Sequence, residues 1–171
     1  MSIGIYQVLE QKFVSEGAFF GGISAVSRGG ESIVLVSIAM PQEQIKTSVR
    51  ILPYSLMMAD LADMWHQEVE IYSRALKSSL ASPRVLCDEE TSSLLARKHI
   101  HLMDEVMDSV QSVSKQSFAV FSFKICRTLG IKKPVQYLSS ITGTSQTTLN
   151  RRLANERARL SSMEERGSED E

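Results

Sequence analysis

Arginine and amide side chains are concentrated in residues 141–160, ITGTSQTTLNRRLANERARL. An arginine can hold a phosphate or form two hydrogen bonds with guanine, and Asn or Gln can pair in a similar way with adenine. Across residues 127–160 seven cations oppose one acid, Glu156, although the whole chain has a net charge of −1. Positive charge confined to one segment favours a polyanionic partner, and double-stranded DNA suits these side chains.

Histidine and cysteine residues elsewhere show no pattern typical of a metal site. His99 and His101 are two residues apart, so on a helix they point roughly 200° apart and cannot share an ion with Cys87 or Cys126. Two cysteines in a chain of this length favour reduced thiols over a disulfide framework. We therefore expect no metal and no cofactor.

The sequence offers equally little evidence for catalytic groups. Asp60 and Asp63 lie near one another on an expected helix and are interpreted as part of a solvated face. The stretches GAFFGG and RGGE lack the lysine of a phosphate-binding loop and the spacing of a dinucleotide-binding fold. The sequence predicts no enzyme and no catalytic residue.

The basic segment is expected to form two short helices joined by a tight turn. Pro134 suits a first helical position, and Gly143 suits the turn because glycine adopts positive φ at little cost. The Ser145 hydroxyl can cap the second helix, on which Leu149 and Leu153 form an inner face. Two helices joined by a glycine-bearing turn have the geometry of a helix-turn-helix.

The stretch LSSITGTSQTTLNRRL resembles the helix-turn-helix of bacterial and phage DNA-binding regulators and of resolvase C-terminal domains. The positions that match that pattern are Ser139, Gly143, Ser145, Thr148, Leu149 and Arg151. Thr142 and Thr144 depart from it, because residues there are usually apolar. The resemblance covers a short part of the chain, indicates no subfamily, and does not extend to the catalytic serine region of resolvases.

The resemblance implies a recognition helix whose N-terminal residues face base edges in the major groove. Gln146 and Asn150 then suit adenine, and Arg151 suits guanine or phosphate. The DNA-contacting residues implied in this way are Ser145, Gln146, Thr147, Thr148, Asn150, Arg151, Arg152, Arg157, Lys132 and Lys133, with Arg159 as a further phosphate ligand.

Residues 1–125 are expected to combine a small sheet with long helices. Two β-prone runs, 23–27 and 32–39, flank RGGE, which is typical of a hairpin, and KTSVRILP predicts a further strand that ends at Pro53. Residues 3–14 fit either a short helix or a strand.

Helical periodicity follows from residue 54 onward. Apolar stripes at 58–76 and 95–113 predict two amphipathic helices, and either stripe can form a subunit interface or pack internally. The acids at 88–90 suit the start of the second helix. Residues 118–129 fit a strand or a helix, and their position between helices favours a helix that ends at Gly130.

The predicted fold is α+β and mainly helical. Its parts are an N-terminal region for dimerisation or for binding a partner protein or effector (1–125), a DNA-binding helix-turn-helix region (126–160) and an acidic disordered tail (161–171). We expect a homodimeric transcriptional regulator that contacts DNA through the major groove. The alternatives are a protein-interaction adaptor and a phage or plasmid accessory protein for partition, nucleoid or replication control.

A cytoplasmic location without membrane contact is expected. No apolar run approaches the roughly 20 residues that span a bilayer. The first residues, MSIGIYQVLEQKF, lack the basic and apolar regions of a signal peptide.

Overall fold

The computed structural model describes residues 6–14, 20–39, 45–59, 61–75, 88–108 and 115–167. An N-terminal antiparallel sheet precedes the helices, so the α+β, mainly helical fold class is confirmed. The strands are β1 (Gln7–Val14), β2 (Phe20–Arg28), β3 (Glu31–Ala39) and β4 (Ile45–Pro53). The helices are α1 (Tyr54–Ala59), α2 (Leu61–Ala75), α3 (Glu89–Asp108), α4 (Lys115–Thr128), α5 (Pro134–Thr142) and α6 (Gln146–Gly167).

The sheet has the order β1-β2-β3-β4, so each strand pairs with its neighbour in sequence. The predicted hairpin is confirmed, because Arg28 pairs with Glu31 across a turn in which Gly29 and Gly30 have φ of 59° and 87°. Positive φ at both positions matches the twist of the flanking strands, and glycine adopts it without a Cβ clash. The predicted strand that ends at Pro53 is β4.

Residues 3–14 fitted either a helix or a strand, and the structure shows that they contain the strand β1. This strand pairs with β2 from Gln7↔Ser27 to Val14↔Phe20. Leu9 and Phe13 pack on one face of the sheet. Lys12 is on the other face of the strand, where its Nζ lies 3.4 Å from the Glu105 carboxylate of α3. The strand therefore forms because both of its faces meet a helical layer, which residues 7–14 alone do not reveal.

Helices cover both faces of the sheet. On one face Val26 and Leu35 belong to the buried cluster that includes the inner side of α3. On the other face Ile23 and Val36 pack against Trp65 of α2. Since successive side chains of a strand point to opposite faces, β2 and β3 bury both of their sides and the sheet is the middle layer of three.

Trp65 anchors α2 to the sheet. Its side chain is buried, and its ring stacks on Phe13 with centroids 4.8 Å apart and an interplanar angle of 7°. A Cβ on Gly21 would lie 2.8 Å from the indole and 1.9 Å from the carbonyl oxygen of Ser37. Gly21 therefore permits close contact between the indole and the strand backbone.

The predicted apolar stripes pack internally where the structure describes them. Leu95, Met103 and Val106 of α3 are fully buried against the sheet and α4. The stripe of α2 contributes Trp65 to the cluster on the other face. The hypothesis that the α3 stripe forms a subunit interface is therefore wrong for these residues; positions 110 and 113 lie outside the described residues.

Helix α4 connects the sheet with the C-terminal helices. The predicted helix is confirmed: Phe121 and Ile125 are fully buried, and Gly130 follows its end with a φ of 74°. The helix packs against α3, β4, α5 and α6. Residue 126, the predicted start of the DNA-binding region, lies within this helix.

Helix α6 extends further than the sequence suggests. We expected a disordered tail from residue 161, but α6 continues to Gly167. Residues 161–167 are therefore helical, and 168–171 lie outside the described residues. Glu164 and Glu165 therefore belong to the same helix as the arginines.

Candidate nucleic-acid interface

Helices α5 and α6 meet at a sharp turn centred on Gly143. Gly143 has a φ of 67°, in the left-handed region, and its N–H donates to the carbonyl oxygen of Ser139 at 3.1 Å. Pro134 occupies the start of α5, as predicted. The left-handed residue ends α5 and redirects the chain into α6, which is the role expected of glycine at a helix C-terminus.

The two threonines beside Gly143 make polar contacts where the helix-turn-helix pattern usually has apolar residues. The Thr142 hydroxyl donates to the carbonyl oxygen of Leu138 at 2.7 Å. The Thr144 N–H donates to the Thr142 hydroxyl at 3.3 Å. Hydrogen bonds therefore satisfy backbone groups at the turn, so the departure from the apolar pattern does not leave the turn unsupported.

Ser145 caps α6 as predicted. Its Oγ accepts a hydrogen bond from the Thr148 N–H at 3.2 Å and donates to the Thr148 hydroxyl at 2.9 Å. Both residues were expected to contact DNA. In the structure their hydroxyls bond to each other, and Thr148 is half-buried, so their local role is to hold the first turn of α6.

Three leucines anchor the unit formed by α5, the turn and α6. Leu138 of α5 is 1% exposed, and Leu149 and Leu153 of α6 are 4% and 5% exposed. All three belong to the cluster that contains Phe121 and Ile125 of α4. The predicted inner face of α6 is therefore confirmed, and α4 is the platform against which the two helices pack.

One side of α6 faces solvent. Gln146, Thr147, Asn150 and Arg151 are all exposed, and Arg157 is exposed one and a half turns further along. At 100° per residue these five side chains fall within an arc of roughly 140°. Amide, hydroxyl and guanidinium groups are thus presented together on the exposed side of α6, in an arc that begins beside the leucine face at Gln146 and reaches its far side at Arg151.

The other predicted DNA-contacting cations lie in three different surroundings. Lys132 and Lys133 are exposed in the connection before α5. The Arg157 guanidinium lies over the Phe123 ring at 5.9 Å from its centroid, which positions the arginine against α4. Arg152 is half-buried and lines a cavity between α6 and α3, so it is less accessible to a macromolecule than Arg151.

Arg159 has a different role from the one predicted. Its Nη2 and Nε donate to the two carboxylate oxygens of Glu156 at 2.7 and 3.0 Å. Glu156 is buried, and it also accepts a hydrogen bond from the Ser117 hydroxyl of α4 at 3.3 Å. The pair ties α6 to α4, and the guanidinium is engaged by a carboxylate rather than presented as a phosphate ligand.

The spacing of Glu156 and Arg159 contained a signal for this contact. Residues three apart are neighbours on a helix, and Glu156 is the single acid of the basic segment. On the α6 wheel Glu156 lies about 20° from Leu149, within the inner face, and Arg159 lies about 60° beyond Glu156. The signal was therefore an acid on the inner face with an arginine three residues further on, and not the direction of Arg159 itself, which lies about 80° from Arg151 on the wheel.

The histidine pair is split between core and surface. His99 is fully buried, and its ring nitrogens lie 2.7 Å from Ser24 Oγ and 2.6 Å from Ser37 Oγ. Burial lowers the pKa of His99 to about 3, so the ring is neutral and links α3 to two strands. His101 is exposed. Within the described residues no group of three potential metal ligands occurs.

Two other titratable side chains, Cys126 and Glu68, are buried. Burial raises the pKa of the Cys126 thiol to about 12, which makes it a poor nucleophile. Glu68, which the sequence did not single out, is buried beneath Arg50 and accepts a hydrogen bond from Ser48 at 3.2 Å. Burial raises the pKa of Glu68, while Arg50 and Ser48 oppose that rise. Asp63 is exposed, and Asp60 and Cys87 lie outside the described residues.

Comparison with known proteins found no matching family model, no matching curated protein and no matching solved structure. Among the helices of the described residues, none combines the length and apolar character that a membrane span requires.

Proposed function

We propose that the protein is a sequence-specific, double-stranded DNA-binding transcriptional regulator that places α6 in the major groove. The observation that carries the proposal is the orientation of α6. Leu149 and Leu153 are buried, while Gln146, Asn150 and Arg151 share the solvent-exposed edge. A recognition helix needs this division, because its inner side must be held by the protein while its outer side reaches base edges.

The chemistry of the exposed edge favours specific contacts near the start of α6. The amides of Gln146 and Asn150 suit adenine, and the guanidinium of Arg151 suits guanine. Because α6 begins at Gln146, the positive end of its helix dipole lies beside the same residues and favours a nearby phosphate. Base-reading and phosphate-binding groups therefore lie side by side.

Lys132, Lys133 and Arg157 are the proposed phosphate ligands around this edge. All three are exposed, and they flank α6 from the connection before α5 and from its own middle turn. Each phosphate neutralised contributes about 0.9 to the slope of log affinity against log salt concentration. Arg159 is not included, because its guanidinium is bonded to Glu156.

We further propose that the regulator acts in the cytoplasm as a dimer on a two-fold symmetric site. One α6 edge offers few base contacts, and pairing two copies doubles them. Light scattering coupled to size exclusion at micromolar concentration measures the mass directly. A monomer that binds a single half-site tightly would remove the dimer from the proposal.

The deciding experiment is selection of bound sequences from a random DNA pool, followed by affinity measurement with Arg151→Ala. A shared consensus is expected, and Arg151→Ala is expected to cost about 1–3 kcal/mol and relax preference at one base position. Arg28→Ala is the matched control, since it removes the same charge from the β2–β3 hairpin. Equal binding by both variants and the wild type would refute the role of Arg151.

The selection also separates the proposed function from its alternatives. Binding that depends on salt but shows no sequence preference would contradict a regulator and favour an accessory DNA-binding role. Absence of DNA binding at low salt would contradict both and favour an adaptor whose arginines bind an acidic protein.

A further inference from the structure

Strand β1 forms an open edge of the sheet. Within the described residues it pairs only with β2, and none of its residues is buried: Val8, Leu9 and Phe13 are half-buried, and the others are exposed. β4 forms the opposite edge, where Thr47 and Val49 are buried and α4 packs against the strand. An uncovered edge presents backbone N–H and C=O groups that can pair with a further strand. β1 is therefore the edge at which the sheet can be extended.

The hairpin between β2 and β3 indicates which residues of β1 direct their backbone groups outward. Arg28 and Glu31 close a two-residue turn, and the closing pair of such a turn is hydrogen-bonded. Hydrogen-bonded pairs alternate along an antiparallel ladder, so even-numbered residues of β2 bond to β3 and odd-numbered ones to β1. Gln11 faces Ile23, so the odd-numbered residues of β1 bond to β2. The backbone N–H and C=O groups that point toward the open edge are those of residues 8, 10, 12 and 14.

The side chains of β1 are complementary to a second copy of the same strand. In an antiparallel pair with its two-fold axis at Gln11, Glu10 lies opposite Lys12 of the partner subunit. The backbone groups that point outward from these residues then meet as a hydrogen-bonded pair. Opposite charges at facing positions of two strands are stabilising, and like charges are destabilising.

Other registers fit less well. An axis at Glu10 or at Lys12 would place that residue opposite its own copy and oppose like charges. An axis between two residues would pair an outward-pointing residue with one that is bonded to β2. Axes further along the strand shorten the overlap. Charge and backbone direction therefore favour the axis at Gln11.

The charged neighbours on α3 fit the same axis. Lys98 lies 3.8 Å from Glu10, and Glu105 lies 3.4 Å from Lys12. All four side chains are at least 36% exposed, and a carboxylate can accept hydrogen bonds from two cations. The pairs within each chain therefore extend into a row of alternating charge across the axis: Lys98, Glu10, then Lys12 and Glu105 of the partner subunit.

Apolar side chains flank the charged pair in this register. Val14 is 64% exposed, and the position that faces it in the second strand is occupied by the half-buried Val8. On the other face of β1, Leu9 lies opposite Phe13 of the partner subunit. Pairing of the strands thus removes from water apolar surface that a single copy leaves accessible.

We propose that two copies of the chain associate through β1, in antiparallel register with the two-fold axis at Gln11, so that the two sheets become one continuous sheet. The role of this contact at a two-fold symmetric DNA site rests on the proposed function, whereas the contact itself does not. The interface uses no residue of α5 or α6 and leaves the exposed side of α6 free for DNA.

Charge reversal tests the register, using the full chain and sedimentation equilibrium. The wild type is expected to dimerise with a Kd of roughly 10 µM, because the contact is small. Glu10→Lys and Lys12→Glu each oppose like charges in the homodimer and should weaken self-association at least about tenfold. Lys46→Glu is the matched control, since it makes the same change of charge on β4 at the other edge of the sheet, and it should leave the Kd unchanged.

An equimolar mixture of the two reversed variants is the deciding measurement. In the mixed dimer the chain with Glu10→Lys has lysine at both positions, and the chain with Lys12→Glu has glutamate at both. Every facing pair is then opposite in charge, so the mixture should dimerise at least about tenfold more tightly than either variant alone. A variant that had lost its fold would not recover on mixing, so recovery reports on the interface.

Three results would overturn the β1 interface. They are a wild-type chain that stays monomeric at about 100 µM, a dimer that neither reversal weakens, and a mixture that associates no more tightly than its components. Binding of the selected DNA is measured on the same samples. A β1 dimer that binds no DNA would overturn the proposed function and leave the interface standing. Specific DNA binding by a dimer that the reversals do not weaken would overturn the interface alone.

Discussion

Replacement of Gly143 by alanine tests the turn on which the orientation of α6 depends. Gly143 has a φ of 67°, and a Cβ built there meets no described atom within 4 Å. The cost of the alanine therefore comes from the backbone conformation alone, without a steric clash to relieve. For an L-residue the left-handed conformation costs about 1–2 kcal/mol.

The net change in stability is smaller than that strain. Alanine also restricts the unfolded chain, which stabilises the folded state by about 0.4–1 kcal/mol and partly offsets the loss. We expect Gly143→Ala to lower the free energy of unfolding by about 1 kcal/mol, which corresponds to a fall in Tm of roughly 2–4 °C for a chain of this size. Gly143→Asn should lose less, because asparagine tolerates the left-handed region.

Urea denaturation at 25 °C measures the stability, and fluorescence anisotropy with the selected DNA measures the affinity. Gly130→Ala is the matched control, since Gly130 has a φ of 74° and equally open space around its Cβ within the described residues. Both alanine variants should lose similar stability, but only Gly143→Ala should weaken DNA binding. An alanine variant at 143 that is as stable as the wild type would refute the left-handed turn.

Three further predictions follow from the same contacts. Ser145→Ala removes the cap of α6 and should cost about 1 kcal/mol in urea denaturation, whereas a change within error would mean that the cap contributes nothing. Glu156→Gln and Arg159→Ala should be coupled by at least about 0.5 kcal/mol in a double-mutant cycle of unfolding free energies, and additive effects would contradict their pairing. His99 has a folded pKa of about 3 against an ordinary value of 6.5. The unfolded chain therefore takes up a proton first, so stability is full above pH 6.5 and falls by about 1.4 kcal/mol per pH unit as the pH drops below it. Urea denaturation at pH 7.5, 6 and 5 should show this slope, and His99→Gln should reduce it; an unchanged slope in the variant would assign the dependence to other groups.

Local signals predicted much of the architecture. The Gly29–Gly30 turn, the strand that ends at Pro53 and the start of α5 at Pro134 depend on the conformational limits of one or two residues. The cap at Ser145 depends on a hydrogen bond between residues three apart. Interactions between residues at most three apart can be predicted from the local sequence, so these elements were placed correctly.

The candidate site was predictable only in part. The burial of Leu149 and Leu153 and the exposure of Arg151 follow from helical periodicity. The pairing of Arg159 with Glu156 does not follow from composition, which presents every arginine of the segment as a possible phosphate ligand. The contact depends on burial of Glu156 beside Ser117, a residue 39 positions away.

The sequence by itself determined the turns at Gly29–Gly30 and Gly143, the starts of α3, α5 and α6, and the concentration of positive charge and of amide side chains after residue 127. Those features depend on φ preferences, capping and composition, which act over a few residues. Only the tertiary structure decided that β1 is a strand, that the α3 stripe packs inside, and that His99 bridges Ser24 and Ser37. These outcomes depend on which segments, far apart in sequence, bury their apolar surfaces against each other. That burial arises only when the sheet and the helices pack into layers.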